Sequence, residues 1–383
     1  MKNVREHWAP IKHSNRKSEL SLWRSEKLFF ESDEFFLSIL KDIKQARKSI
    51  YIESHIFDNK FLGHEITLNL IDALRRGVEV RLLIDGYGMY EFYPKKWFRT
   101  LEANGARVTI FNPMPWMKGL IGSIFKLNQR LHKKLWIIDR KIAYMGSLNI
   151  DTRHMSAKYG GEGWRDTGVR VTGGRIGLLV ASFERDWRHS TGYSFEDEND
   201  SMFFQEKIRL NHSPALRYYS NQVFLRRLRR AKNRIWLTNP YFVPTRKILS
   251  ALKKAAKRGV DVRVIVPSVS DLKWFPLVNS LYYRSLIREG IKIYEYNPSI
   301  LHAKVCIVDD WASLGSSNLN SRSIKHDFEI DVEIGSRSNF ELLIKQFQKD
   351  IFHSSLVKKS TIFKKFKRRQ KFGFVYKVLS YWL

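Results

Sequence analysis

LHKKLWIIDRKIAYMGSLNI, residues 131–150, and its echo LHAKVCIVDDWASLGSSNL, residues 301–319, decide how the chain is read. In the first, His132 and Lys134 are followed by Asp139, Gly146 and Asn149; in the second, His302 and Lys304 are followed by Asp309, Gly315 and Asn318. Leu135–Ile138 and Val305–Val308 are short apolar runs between polar residues, the pattern of buried strands. Each stretch predicts a strand, a tight turn and a second strand. Alternation along a strand puts His132 and Lys134 on one face, and likewise His302 and Lys304, so an imidazole and an ammonium project side by side. One His-x-Lys means little in a chain with 11 histidines and 68 Lys plus Arg. Five residue types recurring in one order, twice, is a strong signal.

Other segments repeat in the same order. RIWLTN (234–239) answers SIYIES (49–54), ALKKAAKRGVDVRVIV (251–266) answers ALRRGVEVRLLI (73–84), and LIREGIKIYEYNP (286–298) answers LEANGARVTIFNP (101–113). Helices are predicted over 35–48, 63–76 and 95–104, with Gly77 and Gly105 as C-terminal stops. Strands are predicted over 49–54, 78–84 and 106–111. Strand alternating with helix predicts an α/β fold: two duplicated α/β/α sandwich domains with mixed, mostly parallel sheets. Packing about a pseudo-two-fold axis would bring the two His-x-Lys strands face to face. The predicted units are 1–190, a polar linker 191–201, 202–353 and a tail 354–383.

The repeat offset is 185 residues at Gly105/Gly290 but 170 at His132/His302. The difference of 15 residues locates an insertion within 114–130, MPWMKGLIGSIFKLNQR. So apolar a segment beside an active-site strand is either a buried excursion or a lip that touches acyl chains. The tail carries nine Lys or Arg and no acid, with Phe363, Phe366, Phe372, Phe374, Tyr376, Tyr381 and Trp382 interleaved. That mixture suits an anionic membrane interface, and also RNA; with the lip, a membrane is favoured.

A chain of 383 residues, 43% hydrophobic and 14% aromatic, can bury two cores. One cysteine, Cys306, excludes a disulfide framework and a multi-thiolate zinc site. The N-terminus has no secretory apolar core, and no uncharged run reaches the ~18 residues of a membrane-spanning helix. The expectation is a soluble or peripheral protein. A net charge of +30 attracts polyanions, nucleic acid or anionic lipid alike.

The first motif matches HxKxxxxDxxxxxxGxxN without a gap, and the chain resembles the phospholipase D superfamily, which carries two such copies. The second copy has five residues, Asp310–Leu314, between Asp309 and Gly315, where the first has six, a turn shortened by one. FNPMP (111–115), NIDTRHMS (149–156), GSSNLNSRS (315–323) and the basic tail are most similar to bacterial cardiolipin synthases of the type lacking N-terminal transmembrane helices. The resemblance covers the chain from about residue 32. It implies transfer of a phosphatidyl group from phosphatidylglycerol to a second phospholipid, with release of glycerol, at the cytoplasmic side of the inner membrane.

Two histidines, two lysines and two asparagines at one point make a phosphodiester site. One imidazole attacks phosphorus and the other exchanges protons with the leaving and entering oxygens. Lys134, Lys304, Asn149 and Asn318 would hold the non-bridging oxygens. Neither a metal nor a cofactor is called for, since two ammonium groups supply the charge. A carboxylate fixing the tautomer of each histidine is expected about thirty residues downstream: Asp166, and Glu329 with Asp327 as its rival. Asp139 and Asp309 stand in the catalytic motif and are expected to fix the hairpin rather than take part in proton transfer. Gly146 and Gly315 serve the turn or an approach of backbone to phosphate. Glu53 and His55 could line the site. The family tends to use its N-terminal histidine as nucleophile, which implies His132, with His302 as general acid and base. A phospholipase passing the intermediate to water, a nuclease and a non-catalytic binder are the rivals; paired imidazoles argue against the last, and nucleic acid is not the expected partner.

Overall fold

The computed structural model describes residues 22–88, 95–113, 128–192 and 200–358. The first half runs Ser25–Phe29 (β1), Ser32–Gln45 (α1), Ser49–Ser54 (β2), Phe61–Arg75 (α2), Glu79–Asp85 (β3), Lys95–Ala103 (α3), Arg107–Phe111 (β4), Leu135–Ile138 (β5), Ile142–Gly146 (β6), Gly168–Thr172 (β7) and Ile176–Ser190 (α4). The second runs Ile208–Leu210 (β8), Pro214–Arg230 (α5), Arg234–Thr238 (β9), Arg246–Lys257 (α6), Asp261–Pro267 (β10), Phe275–Ile287 (α7), Lys292–Tyr296 (β11), Val305–Val308 (β12), Trp311–Gly315 (β13), Ser321–Lys325 (α8), Ile330–Glu333 (β14), Arg337–Phe352 (α9) and Ser354–Leu356 (β15). Helix α1 forms because Phe35, Phe36, Ile39 and Ile43 recur on one buried face. Gly77 and Gly259, at φ +84° and +89°, stop α2 and α6.

The sheets are ordered β4-β3-β2-β5-β6-β7-β1 and β15-β11-β10-β9-β12-β13-β14-β8, the same topology with β15 added at one edge. Both are mixed, as expected, but they are not mostly parallel. Only β2–β3–β4 and β9–β10–β11 pair in parallel; every other ladder is antiparallel. A parallel step needs a long crossover, whereas the motif is itself a hairpin and pairs antiparallel with the strands on either side of it. Strands β1 and β8 escaped the sequence reading, because they are short and pair with β7 and β14, more than a hundred residues away in sequence. The tail call also shifts: Ser354–Leu356 pairs with β11. The rest of the tail, residues 359–383, and the insertion over 114–127 lie outside the described residues, as do linker residues 193–199.

One core cluster packs against the outer face of each sheet, and a third fills the space between the sheets, shared with α4 and α9. There Tyr51 stacks on Phe183 with centroids 4.9 Å apart, and Trp236 stacks on Phe347 at 5.0 Å. The two halves thus repeat the same packing.

The motif aspartates sit at the far end of the hairpins. Asp139 accepts backbone N–H bonds from Arg47, Lys48 and Ser49. Asp309 accepts them from Lys232, Asn233 and Arg234. Each ties its turn to the loop that enters the neighbouring strand, at positive φ (52° and 51°). Five residues of extended chain, about 17 Å, separate them from Lys134 and Lys304. They are therefore not part of the catalytic group. The shortened second motif is absorbed in this turn: Leu135 pairs with Met145 and Val305 with Leu314, so the register toward the site is unchanged. Gly146 and Gly315 are required by the adjacent strand rather than by a ligand. A Cβ at Gly146 would lie 2.5 Å from Thr167 O, and one at Gly315 2.2 Å from Ile330 O.

Replacing Asp139 with Ala strips acceptors from three backbone N–H groups. A stability loss of about 1–3 kcal/mol is expected in urea unfolding, with turnover retained below the transition. Loss of turnover in a folded protein would return Asp139 to the catalytic group.

Candidate active site

Two backbone bridges between the halves set the site. Leu131 pairs with Phe328, and Arg165 with Leu301, both in parallel. His132 N donates to Phe328 O and His302 N to Arg165 O, each at 2.9 Å. The residue after each bridge partner is a carboxylate, Glu329 or Asp166, so the bridge delivers that acid to the histidine across from it. His132 Nδ1 lies 3.0 Å from both Glu329 oxygens, and His302 Nδ1 lies 2.8 Å from Asp166 Oδ2. The pairing crosses between halves. Asp327, the rival to Glu329, instead accepts from Arg322 Nε at 3.1 Å. Arg165 clamps the second bridge through Asp350, at 3.0 and 2.8 Å.

A carboxylate at Nδ1 fixes the Nδ1–H tautomer and leaves Nε2 with its lone pair. Each acid is held in turn by the serine after the motif glycine: Ser147 Oγ donates to Asp166 and Ser316 Oγ to Glu329. Lys134 Nζ donates to His132 O, and Lys304 Nζ to His302 O, both at 2.8 Å. Lys304 Nζ also lies 3.0 Å from His302 Nε2. Asn149 and Asn318 are both buried, and neither carboxamide Oδ1 has a hydrogen-bond partner among the described residues.

Burial in a cationic pocket shapes the titration. It pushes His132 well below the usual imidazole range, helped by Lys134 and Lys304, and His302 down to about 4, helped by Lys304. Both rings are neutral at pH 7. Burial and repulsion from Lys304 bring Lys134 down to about 7, and burial brings Lys304 to about 8. Burial raises Glu329. It would raise Asp166 too, but His302 and His154 together hold that carboxyl well below its ordinary value.

His55 is at the site: its ring centroid is 5.1 Å from that of His132, and Nδ1 lies 3.1 Å from Leu131 O. Glu53 is not. Two residues earlier on β2 it faces the space between the sheets, 3.9 Å from buried Lys133, which donates to Asp186 and Ser182. Sequence reasoning missed His154, whose Nδ1 lies 3.1 Å from Asp166 Oδ2 and whose ring is 5.2 Å from His302. It also missed Ser147 and Ser316, although GSLN and GSSN placed a hydroxyl after each motif glycine. His154, Asp166 and His302 form the one cluster of metal-ligand types among the described residues. Two imidazoles against one carboxylate account for it, His302 by a hydrogen bond and His154 by a 3.1 Å approach.

A family model described as "Cardiolipin synthase, PLD-like domain" matches residues 39–187 and 224–351, spanning both motifs. The chain belongs to the PLD-like cardiolipin synthase family. Members similar to it include the cardiolipin synthase of Alkalihalophilus pseudofirmus, 30% identical over 91% of this chain and 70% of the relative. That of Halalkalibacterium halodurans is 30% identical over 97% and 73%. The family fold is shared with phosphatidylserine synthase of Haemophilus influenzae at TM-score 0.67 and 14% identity, covering 94% of this chain and 95% of that one. It is shared too with polyphosphate kinase of Porphyromonas gingivalis at TM-score 0.62 and 14% identity, covering 89% and 49%. Members of this PLD-like family are phosphatidyltransferases of phospholipid metabolism, and this chain is an enzyme of that class. No helix among the described residues is long and apolar enough to cross a membrane.

Two outcomes follow from the geometry. Glu329→Gln leaves the shape but lets His132 adopt the other tautomer, and a fall in kcat of about 10²–10⁴ is expected, in line with the cost of such a change in a Ser-His-Asp triad. A wild-type rate would mean that the cross-half pair does not orient the reacting ring. Raising the pH through 7 to 9 removes the charges of Lys134 and Lys304, whose values in the free protein are about 7 and 8. The ratio kcat/KM, which reports the free enzyme, is expected to fall across that window; a profile flat to pH 9 would show that the ammonium charges are not needed.

Proposed function

We propose that this chain is a cardiolipin synthase that moves a phosphatidyl group from phosphatidylglycerol, through a phosphohistidine, to the hydroxyl of a second phospholipid. The observation that carries this reading is the crossed pairing: two neutral imidazoles, each held at Nδ1 by the other half's acid, with a lysine two residues on from each.

His132 is the nucleophile. Its side chain is 12% exposed against 5% for His302, whose Nε2 is engaged by Lys304 at 3.0 Å. Lys304, at 3.0 Å from His302 Nε2, supplies that ring with a proton; His132 Nε2 attacks phosphorus, the P–O bond to glycerol breaks, and glycerol leaves as the His302 ring passes that proton to its alkoxide. Lys304 and the ring are then both neutral, ready to take a proton back. In the second step His302 takes the proton of the acceptor hydroxyl, the new P–O bond forms, and the P–N bond to His132 breaks. Lys134 and Lys304, with the carboxamides of Asn149 and Asn318, stabilise the charge on the non-bridging oxygens. Water in place of the acceptor would give phosphatidic acid.

The site implies an anionic phospholipid membrane as partner, and the +30 net charge favours that approach. Peripheral binding on the cytoplasmic side of the inner membrane, with 114–130 and the basic aromatic tail touching lipid, completes the reading.

The test is to incubate the purified protein with phosphatidylglycerol vesicles in chelator and to follow lipids and glycerol. Cardiolipin with equimolar glycerol is expected, and His132→Ala is expected to lower the rate by at least about 10³-fold. In the same assay His302→Ala is expected to accumulate an acid-labile phosphoryl group on His132. Phosphatidic acid alone would make the enzyme a hydrolase; an inert wild-type protein would end the lipid reading.

A further inference from the structure

The two halves align strand for strand, and the alignment exposes one place where they differ in volume. In the first half Trp136 pairs across the hairpin with Tyr144; in the second the same pair is Cys306 and Ser313. Strand β2 meets Trp136 through Ile52, and β9 meets Cys306 through Leu237, in the same register. The covering helices agree. Phe35 stands ten residues before the end of α1, and Ser220 ten residues before the end of α5. A conserved-in-place ion pair confirms the match with its charges exchanged: Asp42 with Arg170 at 2.7 Å, Arg227 with Glu333 at 3.5 Å.

Phe35, Trp136 and Tyr144 therefore form an aromatic plug whose counterparts are Ser220, Cys306 and Ser313. The plug is fully packed: all three rings are buried, Phe35 meets Tyr144 edge-on at 5.6 Å, and Phe35 also lies against Gly168. In the second half the same place is a cavity of about 70 Å³ lined by Ser220, Cys306 and Ser313 together with Val223, Phe224 and Leu314. It extends from Lys304, Asn239 and Ser317 at the site to exposed Glu206 and Lys207. Interiors rarely leave such space unfilled. Lys304 and Cys306 project from one face of β12, so the cavity begins directly beneath the ammonium that faces the phosphate.

We propose that this cavity in the second half binds a hydrocarbon chain of the phospholipid whose phosphate is held at Lys304. Room for about five water molecules admits a segment of several methylenes, the remainder leaving past Lys207. The proposal rests on the phospholipid reading of the site and adds to it where one chain goes. Two cations on the wall, Arg209 and Arg227, are already paired with Asp331 and Glu333 at 3.4 and 3.5 Å, which weakens their pull on a second phosphate.

The test uses phosphatidylglycerol with a diazirine in the outer part of one acyl chain, irradiated with the full-length protein in mixed micelles and mapped by peptide mass spectrometry. Adducts are expected on α5 around Val223 and Phe224 and on the 305–314 hairpin. A second arm restores the plug with Cys306→Trp and Ser313→Tyr. Photolabelling of these peptides is expected to drop about tenfold, as is the preference in kcat/KM for long-chain over dihexanoyl phosphatidylglycerol. Adducts elsewhere in wild type, or an unchanged chain preference in a folded plugged variant, would overturn the cavity assignment. If the double variant fails to fold, the wild-type adduct map decides by itself. Failure of wild type to convert either lipid would instead sink the proposed function, so the two failures are distinct.

Discussion

The structure depends on two short backbone bridges, Leu131 with Phe328 and Arg165 with Leu301. Each joins the strand entering one motif to the segment just before the other half's acid. A backbone bridge fixes position far more closely than a side-chain contact could, because donor and acceptor belong to the main chain on both sides. The acid that follows has no freedom to miss its imidazole. The neutral histidines, their common tautomer and the crowded ammonium groups all follow from that register. So does the cost: buried charges of one sign are tolerable only with Glu329 and Asp166 beside them.

Much of this was legible in the chain. The duplication, the hairpins and the apolar helix faces are local patterns, and the sheets repeat one strand order as SIYIES/RIWLTN and their companions required. His132, Lys134, His302 and Lys304 announced themselves by recurrence. Other features were not legible because they are non-local. Nothing in GWRDTG says that Asp166 serves the histidine 136 residues away. The excess of antiparallel ladders came from β1, β7, β8 and β14, strands whose partners are set by tertiary return rather than by period. Asp139 and Asp309 share the motif's spacing with the histidines; their place at the turn was legible, whereas their bonds to Arg47–Ser49 and Lys232–Arg234 come from segments far off in sequence. His154 sat inside NIDTRHMS in plain view, but only the fold brings it to Asp166.

The differences between halves carry as much meaning as the likeness. Asp166 is shared by His302 and His154, whereas Glu329 holds His132 with hydroxyls for company. Lys304 reaches the ring of its histidine and Lys134 does not. Aromatic rings pack one half where the other keeps a cavity.

Such inequality is open only to a fused duplicate. A homodimer built from one gene copy must place the same residue at both equivalent positions, so any change that improves a proton donor is imposed on the nucleophile as well. Joining the copies in one chain releases that constraint, while the crossed acids keep either half from working by itself. The chain is thus bound to stay whole and free to become asymmetric, which suits the two unlike steps proposed for its histidines.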